Sequence, residues 1–324
     1  MNERRVVVAT HGHCFDGMCS AALFSHLLDH IEPGGHSFRY HASGYGPGQN
    51  GVDPALLVGD TNAILDFRFT DTDKLTWYFD HHQSAFVSPE DRAAFAATAA
   101  KEPHRFFHDA AYSSCTKLIA DLAASQFSLD FSPLKELIDW ADMIDAARFP
   151  NAEMAVARTE PVLQLMTVVE HKGDDAFLQA MVPRLLKESI SAIAASPEVQ
   201  SAYLPLRAQH EAFVALVKTH AKDKGGVVVV DLSEQTIDAA GKFVTYALYP
   251  ESAYSVVLTR SKSKCKISIG YNPWCHTERT HNIARICERW GGGGHPVVGA
   301  ISLVAAEVEK AKSIVDEIAA ELRG

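Results

Sequence analysis

The sequence predicts an α/β fold in two parts: an N-terminal, mostly parallel sheet flanked by helices, then a connecting helix and a smaller C-terminal α/β domain. Three observations predict it. Short apolar, β-branched runs alternate with helical periods over roughly the first third of the chain, the pattern of strands laid parallel through helical crossovers. From about Pro161 to Lys224 the composition turns helical, with no strand-like run, and strand-like runs resume after Gly225. The 324 residues, 47% of them hydrophobic, are too many for one small domain and supply enough apolar surface for two cores.

In order, Arg5–Thr10 is a strand, His11–Phe15 a turn, and Gly17–Ile31 a helix. That helix carries Met18, Ala21, Ala22, Ser25 and Leu28 at helical spacing and is ended by Pro33-Gly34-Gly35. Phe38–Ala42, Ala55–Val58, Ala63–Phe67 and Leu75–Phe79 read as further strands, and the glycine-rich stretch 44–51 as a loop. The C-terminal part offers strands at 226–231, 254–259, 264–270 and 297–304, and a helix at about 280–290. A closing helix carries Val308, Ala311, Val315, Ile318 and Leu322 on one face. The expected organisation is a catalytic domain over 1–190, a helical linker over 191–224 and a substrate-binding domain over 225–324.

Composition excludes some functions. A formal net charge of -10 is a poor match to long duplex nucleic acid, which needs clustered Lys and Arg against its phosphates. No apolar run reaches the 18 or so residues of a membrane span. Val6-Val7-Val8 is too short for a signal-peptide core, so the expectation is cytoplasmic. The six cysteines form no CxxC pair and read as reduced thiols.

Four constellations carry chemistry. Thr10-His11-Gly12-His13-Cys14-Phe15-Asp16-Gly17 sits between a strand and a helix, where a turn can aim His11 and Asp16 into one cleft. Imidazole with carboxylate suits a divalent ion such as manganese. Asp66 ends an apolar strand, and Asp60 competes with it. Asp80-His81-His82 directly follows an aromatic strand. Asp139, Asp142 and Asp145 recur every three residues on an apolar helix, where three carboxylates repel unless solvated or holding cations. In parallel sheets ligands gather at the carboxyl ends of strands, where His11, Asp66 and Asp80-His81-His82 fall. Other features read as ordinary. His26 and His30 lack an intervening Glu, and Cys265, Cys275, His276, His281, Cys287 and His295 fit no standard zinc spacing.

Together the four constellations resemble the DHH phosphoesterase family, named for the Asp80-His81-His82 type of triplet. The resemblance covers nearly the whole chain, because Arg289-Trp290-Gly291-Gly292-Gly293-Gly294-His295-Pro296 is similar to the glycine-rich motif of the family's C-terminal substrate domain. It implies two divalent metals, usually manganese, with Mg2+ or Co2+ as substitutes. His11 would bind the first, Asp16, His81 and Asp142 the second, and Asp66 would bridge them. Asp80 would orient His81, and His82 would face the phosphate. Gly292, Gly293, Gly294 and His295, with Arg279 as a further candidate, would bind substrate.

Two departures stand out. Cys14 occupies the place where the family commonly has another Asp, so Cys14 or His13 is left as an additional ligand. The stretch Ser268-Ile269-Gly270-Tyr271-Asn272 lacks the Arg of many oligonucleotide-cleaving relatives. The implied function is two-metal hydrolysis of a phosphoester in a small phosphorylated nucleotide or short oligonucleotide. A single-strand exonuclease and a non-catalytic nucleotide sensor are the alternatives, and an oligomer is compatible with the sequence.

Overall fold

The computed structural model describes residues 3–44, 51–237, 241 and 243–324. Most of the glycine-rich loop expected at 44–51 lies outside them. The chain divides into two compact units, Met1–Arg148 with Glu160–Tyr203, and Phe149–Thr159 with Leu204–Gly324.

The first unit contains β1 (Arg4–His11), α1 (Phe15–Ile31), β2 (His36–Ser43), β3 (Thr61–Leu65), β4 (Trp77–Asp80), α2 (Pro89–Lys101), β5 (Phe106–His108), α3 (Cys115–Phe127) and α4 (Lys135–Asp145). After α5 (Ala152–Ala157), which belongs to the second unit, it continues through α6 (Pro161–Lys172), α7 (Asp175–Leu185), α8 (Ile190–Ala194) and the first part of α9 (Pro197–His220). Among the described residues its strands form a five-stranded sheet, β2-β1-β3-β4-β5, with every pair parallel.

Strand side chains alternate between faces, and each face has its own cover. Val7, Ala9, Ile64, Tyr78 and Phe106 join a cluster with Phe95 and Ala99 of α2. On the other face Phe24 of α1 meets Trp77 edge-on, ring centroids 5.7 Å apart, and lies 6.2 Å from Phe79. Helices α2 and α3 are fixed at their starts by caps. Ser88 and Asp91 make a reciprocal capping box at the start of α2, with Pro89 in its first turn. The Ser114 hydroxyl caps α3 by accepting from the Lys117 amide at 3.1 Å. The strand expected at Ala55–Val58 is a turn instead. Pro54 follows Asp53, whose carboxylate and carbonyl accept the amides of Ala55 and Leu56, so the backbone bonds locally rather than to a ladder.

The second unit adds β6 (Ala221–Asp223), β7 (Val227–Thr236), α10 (Val244–Leu248), β8 (Tyr254–Arg260), β9 (Lys264–Tyr271), α11 (Ile283–Glu288), β10 (Gly293–His295), β11 (Val298–Val304) and α12 (Val308–Glu321). Among the described residues its six strands run in the order β10-β11-β9-β8-β7-β6, and only β7 and β8 are parallel neighbours. Strand β6 interrupts the stretch expected to be helical throughout. One face of the sheet packs on α11 and α12 through Ile283, Ile286, Ile314 and Ile318. The other packs on Phe213 and Val217 of α9. No helix of the described residues is long and apolar enough to cross a membrane.

Phe24→Ala removes a fully buried ring from the helix–sheet interface. We expect it to cost about 3–5 kcal/mol, read as a lowered urea midpoint. A loss below about 1 kcal/mol would mean that the α1 face carries little of the core's stability.

Candidate metal centre

The strand order places the centre. The chain leaves β1 for β2 on one side and returns to β3 on the other. The carboxyl ends of β1 and β3 therefore flank a topological switch point, where loops diverge and leave a crevice. His11 is the last residue of β1, Asp66 follows β3, and Asp80 ends β4 with His81 and His82 just beyond. Asp60 is at the opposite end of the sheet. Its carboxylate accepts the Arg5 amide at 3.0 Å and pairs with the Arg5 guanidinium at 3.1 Å, which removes it as a rival to Asp66.

Among the described residues three groupings of donor atoms result, each within 4.8 Å: His11, Cys14 and Asp66; Asp66, His81 and His82; and Asp16, His81 and Asp145. Asp66 and His81 each appear in two. Gly17 allows this convergence. A Cβ there would lie 2.5 Å from the His11 carbonyl and 3.3 Å from Asp66 Oδ2, so the first turn of α1 can pass close to the Asp66 carboxylate only as glycine.

The carboxylates differ in how they are held. Asp16 sits at the N-terminus of α3, its oxygens accepting the amides of Cys115 at 2.7 Å and Thr116 at 3.0 Å. Unbonded amides and the helix dipole favour an anion there. Asp80 accepts the Tyr78 hydroxyl at 3.1 Å and His82 Nδ1 at 2.7 Å. Asp66 has neither kind of support. It is fully buried, in the left-handed region at φ 53°, a conformation Asp tolerates better than most residues. Both its carboxylate oxygens lack a hydrogen-bond partner, as does His81 Nε2. His81 Nε2 lies 3.4 Å from Asp66 Oδ1 and 3.3 Å from Asp145 Oδ2, close but not aligned as hydrogen bonds.

Electrostatics follow from this crowding. Burial, then the charge of Asp16, pushes the Asp66 carboxyl up to about 8. Burial alone would lower His81, but Asp66, Asp16 and Asp145 override it and raise the imidazole to about 9. Burial and the facing carboxylates hold the Cys14 thiol well above its usual range, and burial lowers His11. Buried, unpartnered donors of opposite protonation demand fit a divalent cation: imidazole nitrogen and carboxylate oxygen around a shared, centrally placed Asp66.

Several placements differ from those the sequence implied. Asp142 joins no grouping; it accepts the hydroxyls of Ser113 at 2.6 Å and Ser114 at 3.2 Å. Asp145, one turn on, faces His81 instead, and Asp139 pairs with Lys135. Asp80 orients His82 rather than His81. The ring of His81 is set by its Nδ1 at 3.2 Å from the Tyr112 carbonyl. His13 is exposed and its amide donates to the Gly173 carbonyl at 3.0 Å, so of the two additional candidates only Cys14 is in a grouping. The supporting residues Tyr78, Tyr112, Ser113, Ser114 and the first amides of α3 carry no signal in the sequence, because their roles arise from contacts distant along the chain.

In the second unit, Gly291 at φ 75° caps α11, its amide and that of Gly292 bonding back to Glu288 and Cys287. Gly293–His295 form β10, an exposed edge strand, rather than a loop. Arg279 donates to the carbonyls of His281 at 2.8 Å and Pro296 at 3.3 Å, bracing the β10–β11 turn. Arg260, opposite Cys265, and Lys264, opposite Val304, lie at the far end of β9 from that turn.

No family model and no curated protein matches the chain. Solved structures do. A pGpG-specific phosphodiesterase, PggH from Vibrio cholerae, aligns over 98% of this chain and 99% of its own at 20% identity and a TM-score of 0.68. RecJ from Thermus thermophilus, in complex with Mn2+, aligns at 13% identity and 0.52, and the chain spans about half of it, 52%. The DHH domain of a member of the s1p family of ribosomal proteins aligns at 10% identity and 0.51 over 88% of its length. The chain therefore has the fold shared by these proteins.

Asp66 and His81 both bind protons more tightly in the folded protein. Stability of the metal-free protein should therefore fall as pH rises, from 3.8 to about 8 through Asp66 and from 6.5 to about 9 through His81. We expect Asp66→Asn to flatten this slope between about pH 6 and 9 in urea titrations. Parallel slopes in the two proteins would show that the pair does not titrate there.

Proposed function

We propose that the chain is a DHH-type, metal-dependent phosphoesterase that hydrolyses a phosphoester bond in a small nucleotide or short oligonucleotide. The observation that carries this reading is Asp66: a fully buried carboxylate at the switch point of a parallel sheet, with both oxygens unpartnered and shared by two groupings of donor atoms. The groupings would hold two ions, His11 and Asp66 serving the first and Asp16, His81 and Asp145 the second. Manganese suits the carboxylate and imidazole donors. When bound, a divalent pair supplies Lewis acidity and neutralises the charge that grows on phosphoryl oxygens in an in-line displacement.

The chain's own residues do the rest. Asp80 ties up Nδ1 of His82, which fixes the ring and leaves Nε2 as the nitrogen that would donate to a phosphoryl oxygen. Tyr78 in turn anchors Asp80, so the pair is positioned before substrate arrives. In the second unit we assign substrate contacts to the exposed Gly292, Gly293, Gly294 and His295, with Arg279 holding their turn.

The substrate class rests on two supports. The alignment with the pGpG-specific phosphodiesterase spans both chains end to end, whereas that with RecJ leaves about half of RecJ unmatched. The net charge of -10 disfavours tracking a long strand, which needs a positive groove. A linear dinucleotide is the favoured substrate over the single-strand exonuclease reading.

With manganese, the purified chain should convert a linear diribonucleotide to mononucleotides, followed by mass spectrometry. Asp66→Asn should fall to the level of the metal-free control while its circular dichroism is unchanged. Retained turnover in that variant would remove Asp66 from the centre, and binding without turnover in the wild type would favour a sensor.

His295→Ala should lower kcat/KM for the dinucleotide by roughly tenfold or more, and leave a minimal chromogenic phosphodiester almost unaffected. Equal losses on both would place His295 in the chemistry or the fold rather than in substrate recognition.

A further inference from the structure

The two sides of Asp66 are not chemically equivalent. The second position draws on Asp16, His81 and Asp145, oxygen and imidazole donors throughout. The first draws on His11, Asp66 and the sulfur of Cys14, all within 4.8 Å of one another. Resting on the metal-centre reading above, we propose that Cys14 ligates the first ion as a thiolate, so that this position selects a borderline cation of the zinc or cobalt class while the second keeps manganese.

The placement of Cys14 supports this. It is the N-cap of the 17-residue α1, with extended backbone at φ -123° and ψ 132°, and its side chain makes no capping hydrogen bond. N-caps are ordinarily Ser, Thr, Asp or Asn, which accept an amide proton there. Sulfur is a weaker acceptor in that place, and here it lies in the grouping with Asp66. The independent observation is Asp66 itself, whose fully buried carboxylate has no hydrogen-bond partner on either oxygen.

The chemistry balances simply. The sulfur–hydrogen bond is replaced by a sulfur–metal bond, the proton leaves to solvent, and no electrons are exchanged. Selectivity follows from donor softness. Thiolate favours zinc and its neighbours strongly over manganese, which prefers oxygen, and manganese lies at the weak end of the divalent affinity series. The neighbouring thiols do not compete for the role. Cys19 and Cys115 are completely buried, and Cys115 Sγ donates to the Phe79 carbonyl at 3.3 Å.

The test is cobalt(II) titration of the full metal-free chain, read by absorption. The wild type should show visible d–d bands together with a near-ultraviolet sulfur-to-cobalt charge-transfer band. Cys14→Ser should keep the d–d bands and lose the charge-transfer band. Ser and Asp are favoured N-caps, so Cys14→Ser and Cys14→Asp should both retain the helix, checked by circular dichroism. In competition, Cys14→Asp should lose preference for zinc over manganese by at least the roughly 10–100-fold that loss of a mere supporting partner costs. Cobalt d–d bands with identical near-ultraviolet spectra in wild type and Cys14→Ser would overturn the thiolate and leave the metal centre standing. No cobalt bands in any variant would overturn the centre, and the proposal with it.

Discussion

The structure is organised around one costly arrangement: the Asp66 carboxylate, completely buried beside Asp16 and Asp145, with nothing to accept from. An isolated buried carboxylate is among the most unfavourable things a fold can hold. The protein compensates its neighbours in different ways. Asp16 is absorbed by the N-terminus of α3, and Asp80 by Tyr78 and His82. Asp66 is left without such support: burial and the charge of Asp16 push its carboxyl up, and the surrounding carboxylates raise His81.

The rest of the first unit serves to impose that arrangement. A parallel sheet brings strand ends to one edge, and the order β2-β1-β3 opens the crevice between β1 and β3. Aromatic packing of Trp77, Phe79 and Phe24 on one face, and of Tyr78 with Phe95 on the other, holds β4 in place. Strand β4 carries Asp80 and delivers His81 and His82 with it. Stability and chemistry are thus linked through a single strand, because alternate side chains of the same four residues face core and core again before the chain turns into the site.

In the second unit the glycine run serves two needs. Gly291 ends α11, and the following glycines form an edge strand whose backbone is open to solvent. An open edge is ordinarily a liability; here it leaves donors and acceptors available for a ligand.

Much of this was legible in the sequence. The βα periodicity predicted the parallel sheet, and His11, Asp16, Asp66, His81 and His82 were singled out because strand ends and turns are short-range features. The choice of Asp145 over Asp142 was not legible. Both lie on α4, three residues apart, and only Ser113 and Ser114, reaching from before α3, take Asp142 away. Likewise Asp80 pairs with His82 because Tyr112 has claimed His81, and Asp60 is spent on Arg5 at the other end of the sheet. Local periodicity determines which elements form and which residues end them. The partners of each polar side chain depend on contacts far apart in the chain, and these exist only once the helices have docked.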